Sequence, residues 1–240
     1  MKTFFGVIAM ALTSAFSIAG SFEKDVIETA SGGLEITFIG HSSLMMQHGG
    51  KVIHIDPYGM LADYGKLPKA DLVLITHEHG DHLDPGALAK IRTPNTIVVA
   101  HAASANIAGV AMKNGDVQTI VGFRIEAVPA YNLVNMRANG QPYHPKGNGN
   151  GYVITFADKR VYVAGDTENT PEMKALKNID CAFLPMNLPY TMSPEMAADA
   201  AKAFKPKILY PYHFGDTDTT RLVTLLKDSP GIEVRIRRMK

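Results

Sequence analysis

The chain has 240 residues, a length that fits one large domain or two small ones. Hydrophobic residues make up 46% of it and charged residues 20%, so it can form a buried core and lacks the composition of a disordered chain. The 24 basic and 23 acidic residues nearly cancel, which argues against a nucleic-acid-binding protein, and the single cysteine excludes an intramolecular disulfide and a thiolate zinc cluster.

Residues 1–19 have the pattern of a signal peptide. One basic residue is followed by an uncharged stretch with an apolar core at 4–12, and small residues precede a cleavage position after Ala19. A membrane anchor is the alternative, but the apolar run is shorter than the ~20 residues that span a bilayer. We therefore expect a periplasmic or secreted protein whose mature domain, residues 20–240, has no stable association with a membrane.

Short apolar runs predict strands along the rest of the chain. Residues 34–39 alternate between apolar and polar side chains, and 43–47 with 51–55 form a hairpin across two glycines. The continuous apolar run 72–75 predicts a strand buried on both faces. Further strands are expected at 97–100, 123–128, 152–156, 160–164, 182–184 and 208–210.

Helices are fewer. Asp84-Pro85 and Ser193-Pro194 each combine an N-cap residue with proline at the first helical position, and a last helix is expected over 220–227. The segment 102–112 also has a helix-like composition. Hairpins mixed with αβ units predict an α+β, layered α/β domain with enough strands for two sheets. The long loop 130–151 is rich in Asn, Gly and Pro, and such loops are usually functional.

The segment Thr76-His77-Glu78-His79-Gly80-Asp81-His82 follows the buried strand directly. His77 and His79 are two residues apart at a strand end, so their side chains leave the backbone on the same side. Gly80 permits a sharp turn that lets Asp81 and His82 project back toward the same point. Three imidazoles and a carboxylate within six residues suit zinc, with iron and manganese as rivals. A polar surface loop would explain neither the clustering nor the position after a buried strand.

This motif, His-x-His-x-Asp-His, resembles the signature of the metallo-β-lactamase superfamily. Gly165-Asp166-Thr167 is similar to the element that holds the family's metal-bridging aspartate, and Tyr212-His213-Phe214 to the element with its last histidine. Gly40-His41-Ser42 and Ile55-Asp56-Pro57 resemble the first elements of the family. The resemblance covers residues 34–215 and implies a four-layer αββα sandwich with a one- or two-metal site at one edge of the two sheets.

The family also uses a histidine between this motif and Asp166, and two positions compete for that role. His144 lies in the long loop. The segment Ala130-Tyr131-Asn132 resembles an Ala-Trp-His segment of several family members, so Asn132, a poor ligand for zinc, would stand in the place of their histidine. The sequence favours His144 and leaves Asn132 as the alternative. The ligand sets implied by the resemblance are then His77, His79, His144 and Asp166 for one ion, and Asp81, His82, Asp166 and His213 for the other.

Three further residues are expected to lie close to this site. His41, by analogy with the family, and Tyr190, which could donate a hydrogen bond to an oxyanion, are the candidate substrate-binding residues. Asp56 is expected to support the 77–82 loop rather than bind metal, because metal ligands need hydrogen-bonded partners.

The remaining histidines and the cysteine are not expected to bind metal. His48 is expected to be exposed beside a glycine turn, His101 to begin the helix-like segment, and His54 to be a hydrogen-bonded residue of the core or a support behind the metal ligands. Cys181 is expected to be buried and inert in a strand.

The resemblance implies a metal-dependent hydrolase, most simply with two zinc ions, and with Mn²⁺ or Fe²⁺ as alternatives. A metal-bound hydroxide would be the nucleophile, and Asp81 would orient it and relay its proton. The expected substrate is a small molecule with an ester-like bond, a lactone, a phosphodiester or an amide in descending order of preference. A periplasmic metallo-β-lactamase and a non-catalytic, metal-retaining binding module are the alternatives. The oligomeric state cannot be read from the sequence.

Overall fold

The computed structural model describes residues 22–102, 107 and 109–239. The predicted signal peptide, residues 1–19, lies outside the described residues. In the described part of the chain no helix has both the length and the apolar character needed to cross a membrane.

Two seven-stranded mixed sheets form the centre of the molecule, and each has the same plan. The first runs in spatial order β1 to β7, antiparallel from β1 to β4 and parallel from β4 to β7. The second runs from β8 to β14, antiparallel to β11 and parallel beyond it. The strands are β1 Glu23–Thr29, β2 Gly32–Gly40, β3 Ser43–His48, β4 Lys51–Ile55, β5 Leu72–Leu74, β6 Ile97–His101, β7 Val110–Met112, β8 Val117–Ile120, β9 Phe123–Ala130, β10 Gly149–Phe156, β11 Lys159–Val163, β12 Cys181–Pro185, β13 Ile208–Tyr212 and β14 Glu233–Val234.

Helices cover the outer faces of the two sheets. The helices are α1 Pro85–Ile91, α2 Pro171–Lys174, α3 Pro194–Phe204 and α4 Thr220–Leu226. One apolar core lies between the sheets, a second joins the second sheet to α2, α3 and α4, and a third joins the first sheet to α1. The order helix, sheet, sheet, helix confirms the predicted four-layer αββα sandwich.

The predicted helix starts are confirmed by their capping bonds. The side chain of Asp84 accepts hydrogen bonds from the backbone N–H groups of residues 86 and 87 at the start of α1. Ser193 accepts one from the backbone N–H of Met196 at the start of α3. In both helices proline fills the first position, where its missing N–H is not needed.

Three expectations about individual segments are wrong. Residues 110–112 form the short parallel strand β7 beside β6 rather than a helix. His101 ends strand β6 and is buried, rather than lying on a helix. His48 is also buried, because its ring packs against Phe156 and its Nε2 lies 3.0 Å from the hydroxyl of Ser31.

Two other side chains lie where the sequence predicts. Cys181 is fully buried in β12, and burial raises the pKa of its thiol to about 12, which leaves little thiolate to react. His54 is fully buried in β4, and its Nε2–H donates to the carbonyl of Pro68 over 3.0 Å.

The buried ring of His54 gives a testable pH dependence of stability. Burial lowers its pKa to about 4, although the bond to Pro68 opposes that shift. The unfolded chain, with a histidine pKa of about 6.5, therefore binds a proton between pH ~6.5 and ~4 that the folded protein does not bind. Burial of the neutral His54 ring therefore does not reduce the free energy of unfolding above pH ~6.5, and it reduces that free energy progressively as the pH falls from ~6.5 toward ~4.

We expect His54→Gln, which keeps a donor for Pro68, to flatten this dependence. From pH ~7 to pH ~5 the wild-type protein should lose about 2 kcal/mol more of its unfolding free energy than the variant. Urea unfolding of the metal-free proteins at both pH values measures the difference. Equal losses in the two proteins would show that His54 is not responsible.

Candidate metal centre

The candidate site lies at one edge of the two sheets, where parallel strands end. The motif with His77 follows β5, Asp166 follows β11, and His213 follows β13. His144 comes from the long loop between β9 and β10. Because the carboxyl ends of parallel strands meet at one edge of a sheet, residues far apart in sequence converge here.

One group of donors is made of three imidazoles and one carboxylate oxygen. Nδ1 of His79 lies 3.0 Å from Nε2 of His77 and 3.3 Å from Nε2 of His144. Oδ2 of Asp166 lies 3.4 Å from Nε2 of His144. The structure thus brings together all four residues that the resemblance implies for one ion.

The second group of donors surrounds the other oxygen of Asp166. Its Oδ1 lies 3.3 Å from Nε2 of His82 and 3.5 Å from Nε2 of His213. Oδ2 of Asp81 lies 3.6 Å from Nε2 of His213 and 3.8 Å from Nε2 of His82. Oδ2 of Asp166 therefore faces the first group of donors and Oδ1 faces the second, which is the arrangement of a bridging carboxylate.

Asp56 holds two of these histidines in a defined tautomer. Its fully buried carboxylate accepts hydrogen bonds from the backbone N–H of Thr76 at 2.8 Å, from the Thr76 hydroxyl at 2.7 Å and from Nδ1–H of His82 at 2.7 Å. Since the Thr76 hydroxyl hydrogen goes to Asp56, its oxygen is left to accept from Nδ1–H of His77 at 3.1 Å. In their neutral form both rings then carry the lone pair on Nε2, the atom that faces the other donors.

His144, and not Asn132, contributes the imidazole that faces the other donors. Oδ1 of Asn132 lies 2.7 Å from the backbone nitrogen of His144 and 2.9 Å from Nδ1 of its ring. The two residues that compete for one position in the sequence are thus hydrogen-bonded neighbours. Asn132 supports the imidazole while Nε2 of His144 faces His79 and Asp166.

The chemistry of these atoms fits divalent metal ions. Nε2 of His82, Oδ1 of Asp166 and Nε2 of His213 are buried and make no hydrogen bond within the described part of the chain, although the two nitrogens lie 3.3 and 3.5 Å from Oδ1. Buried polar atoms without partners are unfavourable unless a cation or another group satisfies them. Imidazole nitrogens and carboxylate oxygens are ligands that zinc, manganese and iron accept.

The electrostatics of the site favour positive charge at its centre. Burial alone would lower the pKa of His82, but the Asp166 and Asp56 carboxylates together outweigh it and raise that pKa well above its usual range. Burial would raise the pKa of Asp166, but His213 and His82 hold it well below its usual range. Burial lowers the pKa of His77 and, to about 4, that of His144. An ionised Asp166 beside neutral His77 and His144 is the state in which these side chains bind a metal.

A cavity of about 300 Å³ opens onto the two groups of donors. His41 lines it, and Nε2 of His41 lies 3.0 Å from Oδ2 of Asp81. Tyr190 is 46% exposed and also lines it, with its ring in edge contact with that of Tyr143. Both candidate substrate-binding residues therefore line the cavity that opens onto the two groups of donors.

Sequence reasoning did not single out Arg137 or Glu168. Arg137 lines the cavity from the long loop, where its guanidinium lies 5.1 Å from the ring centre of Tyr143 and donates to the Tyr143 carbonyl over 3.2 Å. Glu168 is fully buried two residues after Asp166. An arginine in a polar loop has no distinctive sequence pattern. The position of Glu168 two residues after Asp166 was a weak signal, which does not reveal its hydrogen bonds to the long loop.

Comparison with known proteins places the chain in a family. Residues 35–213 match the model of the β-lactamase superfamily domain. The chain is 30% identical over 221 residues to a UPF0173 metal-dependent hydrolase from Pelotomaculum thermopropionicum, an alignment that covers 85% of this chain and 96% of the relative.

Solved structures agree with this assignment. A candidate metal-dependent hydrolase from Parabacteroides distasonis is 52% identical, with a TM-score of 0.87 over 91% of this chain and 100% of the other. Igni18, a metallo hydrolase from the archaeon Ignicoccus hospitalis, is 26% identical, with a TM-score of 0.71 over 86% of this chain and 96% of the other. The chain therefore belongs to the β-lactamase superfamily, and within it to the UPF0173 metal-dependent hydrolases.

Proposed function

We propose that the protein hydrolyses an ester-like bond of a small molecule with the help of two zinc ions. His77, His79, His144 and Oδ2 of Asp166 would hold one ion, and Asp81, His82, His213 and Oδ1 of Asp166 the other. When bound, such ions lower the pKa of coordinated water to roughly 7 and polarise the bond that is attacked. The observation that carries the proposal is the pair of donor groups on the two oxygens of one buried aspartate.

Asp81 is the residue best placed to move a proton. Its side chain is 37% exposed at the cavity, unlike the buried Asp166, and Oδ2 also contacts Nε2 of His41. A carboxylate at this position can orient the attacking water, accept its proton and return it to the leaving oxygen. The neighbouring imidazoles of His213, His41 and His82 together outweigh burial and hold the pKa of Asp81 well below its usual range, and the hydrogen bond from His41 orients the carboxylate.

The walls of the cavity indicate what it accepts. Tyr143 and Tyr190 offer apolar ring surface and hydroxyl groups, and Arg137 offers a positive charge that forms no ion pair with any carboxylate of the described residues. A lactone or a phosphodiester with an anionic substituent would fit these groups, since the guanidinium can donate two parallel hydrogen bonds to a carboxylate or phosphate. We therefore rank these two substrate classes above amides.

A substrate panel tests the proposed function. The zinc-loaded protein is assayed with chromogenic lactones, phosphodiesters and simple esters, and with nitrocefin for β-lactamase activity. We expect turnover of a lactone or a phosphodiester that chelation abolishes and added metal restores. Turnover of nitrocefin alone would replace the proposal with a β-lactamase, and tight metal binding without any turnover would favour a binding module.

The role of Arg137 predicts a change in KM rather than kcat. Arg137→Met keeps the length and apolar contacts of the side chain but removes its charge, so KM should rise about fivefold for a substrate with an anionic substituent and stay the same for its neutral analogue. Steady-state kinetics on the matched pair measure this. Arg92→Met, the same change at an exposed residue after α1, is the control, and equal effects on both substrates would remove Arg137 from substrate recognition.

We also propose that the protein is exported. The proposal comes from the signal-like sequence of residues 1–19. Mass spectrometry of the protein from a fractionated bacterial host tests it, and we expect a periplasmic form that begins at Gly20. Intact protein that remains in the cytoplasm would contradict export.

A further inference from the structure

Glu168 is a fully buried carboxylate whose four hydrogen bonds all come from one segment of the long loop. The backbone N–H groups of residues 133–135 donate to it at 2.7 to 2.8 Å. Nδ2 of Asn132 donates to Oε1 over 3.1 Å. Within the described residues, no lysine or arginine forms an ion pair with Glu168. Because a buried charge is tolerated only when its lone pairs are satisfied, these bonds tie the segment to Glu168.

The same contact fixes which way the side-chain amide of Asn132 points. Nδ2 faces Oε1 of Glu168 and, at 2.9 Å, the carbonyl oxygen of Tyr190. A backbone carbonyl can only accept a hydrogen bond, and so can an ionised carboxylate. The NH₂ group of Asn132 must therefore face these two oxygens, which leaves Oδ1 on the side of His144.

The amide in turn fixes the tautomer of His144. Oδ1 of Asn132 accepts from the backbone N–H of His144 at 2.7 Å and lies 2.9 Å from Nδ1 of the ring. Since Oδ1 has no hydrogen to give, Nδ1 must carry the ring proton. The lone pair is then on Nε2, which lies 3.4 Å from Oδ2 of Asp166 and 3.3 Å from Nδ1 of His79.

We propose that Glu168 is a positioning residue of the metal centre, which acts through Asn132 to hold His144 as the Nδ1–H tautomer with Nε2 free for the metal. That the arrangement serves metal binding rests on the proposed function, whereas the hydrogen bonds between Glu168, Asn132 and His144 do not depend on it. Glu168 follows Asp166 by two residues, and its backbone N–H donates to the carbonyl of Tyr131 over 3.0 Å. One short segment thus supplies the bridging carboxylate and anchors the loop that carries His144.

Nitrogen-15 NMR of the imidazoles tests the tautomer directly in the metal-free wild-type protein. At pH ~8 we expect His144 to show a protonated Nδ1 and an unprotonated Nε2, with its signals assigned by their loss in His144→Gln. A protonated Nε2, or an even mixture of tautomers, would overturn the proposal. This measurement needs neither a substrate nor a folded Glu168 variant.

Variants then test the role of Glu168. In Glu168→Gln an NH₂ group replaces one accepting oxygen, so we expect mixed tautomers at His144 and an affinity for one of the two zinc ions that falls about 10- to 100-fold. Asn132→Asp should also weaken zinc binding, because its new oxygen would face Oε1 of Glu168 and be repelled by it. Its other oxygen can still accept from Nδ1–H of His144, so in this variant the tautomer should not change. The double variant should recover part of the affinity, since the introduced glutamine amide can donate to the introduced aspartate carboxylate.

Glu172→Gln is the matched control. Glu172 contacts the same loop through Lys146, at 2.8 Å, but does not touch Asn132, so tautomer and zinc affinity should not change. A Glu168→Gln protein that is less stable but keeps the wild-type tautomer and zinc affinity would show that Glu168 has only a structural role. If the wild-type protein hydrolyses nothing in the panel, the proposed substrate class fails while the tautomer result still decides this inference.

Discussion

Replacing Asp81 by alanine is expected to lower kcat about 10³-fold while the protein stays folded and keeps the ion held by the His77 group of donors, to which Asp81 does not contribute. The reason lies in the position of its carboxylate. Oδ2 is within 3.0 to 3.8 Å of His41, His213 and His82, and the side chain is 37% exposed at the cavity. Its removal therefore takes away the proposed proton carrier without opening a hole in the core. Steady-state kinetics with the best substrate of the panel measure the effect.

Asp228→Ala is the control for this prediction. It makes the same change at an exposed carboxylate beyond α4, and its kcat should equal that of the wild-type protein. Metal content is measured in both variants, because a loss of metal would by itself explain a loss of rate. Wild-type turnover in Asp81→Ala would remove Asp81 from the reaction.

Replacing Asp56 by alanine is expected to have the largest effect on stability, a loss of about 3–5 kcal/mol from the free energy of unfolding. Asp56 is fully buried and accepts three hydrogen bonds, two from Thr76 and one from His82. The substitution leaves these buried donors without an acceptor, and each such donor is destabilising by about 1–3 kcal/mol. Urea unfolding of the metal-free proteins near neutral pH measures the change.

Asp71→Ala is a comparison on the same pair of strands. Asp71 lies at the other end of β4 and β5, where its partly exposed carboxylate accepts from Lys51 and from the backbone N–H of Val52. Because water can replace those bonds, a loss of only about 1 kcal/mol is expected. Equal losses in the two variants would show that Asp56 has no special role under the metal centre.

The parts of the site that are close together in sequence could be predicted best. The 77–82 segment directly follows a buried strand and contains a glycine turn and four ligand-type side chains, so local geometry already directs these side chains to one point. Asp166 and His213 lie far along the chain, and they could be added only through the family resemblance. The fold that joins them depends on which strands pair, and strand pairing is set by contacts across the core rather than by local pattern.

The choice between His144 and Asn132 could not be settled from sequence, because hydrogen bonds across the long loop decide it. A pattern of residue types shows that both are near Asp166, but not that one supports the other. Glu168 was missed for the same reason. Its role depends on three backbone N–H groups that only the folded loop brings together.

The strands that were missed are mostly short or polar. β1, at the edge of its sheet, has three charged residues followed by only two apolar ones, β7 has three residues, and β14 has two. Such strands form because a neighbouring strand offers hydrogen-bond partners, which leaves little trace in the sequence. The helix-like composition of 102–112 predicted a helix where residues 110–112 form a strand, because pairing with β6 overrides their helix propensity.

Zinc stoichiometry of the intact protein tests the central claim most directly. Metal-free protein is titrated with Zn²⁺ by calorimetry, and the bound metal is counted by elemental analysis, for the wild-type chain and for a His82→Gln, His213→Gln double variant. The account predicts about two zinc ions per wild-type chain and about one in the double variant, which retains the donors around His77. A wild-type chain that binds no metal, or a double variant that binds as much as the wild-type chain, would contradict it.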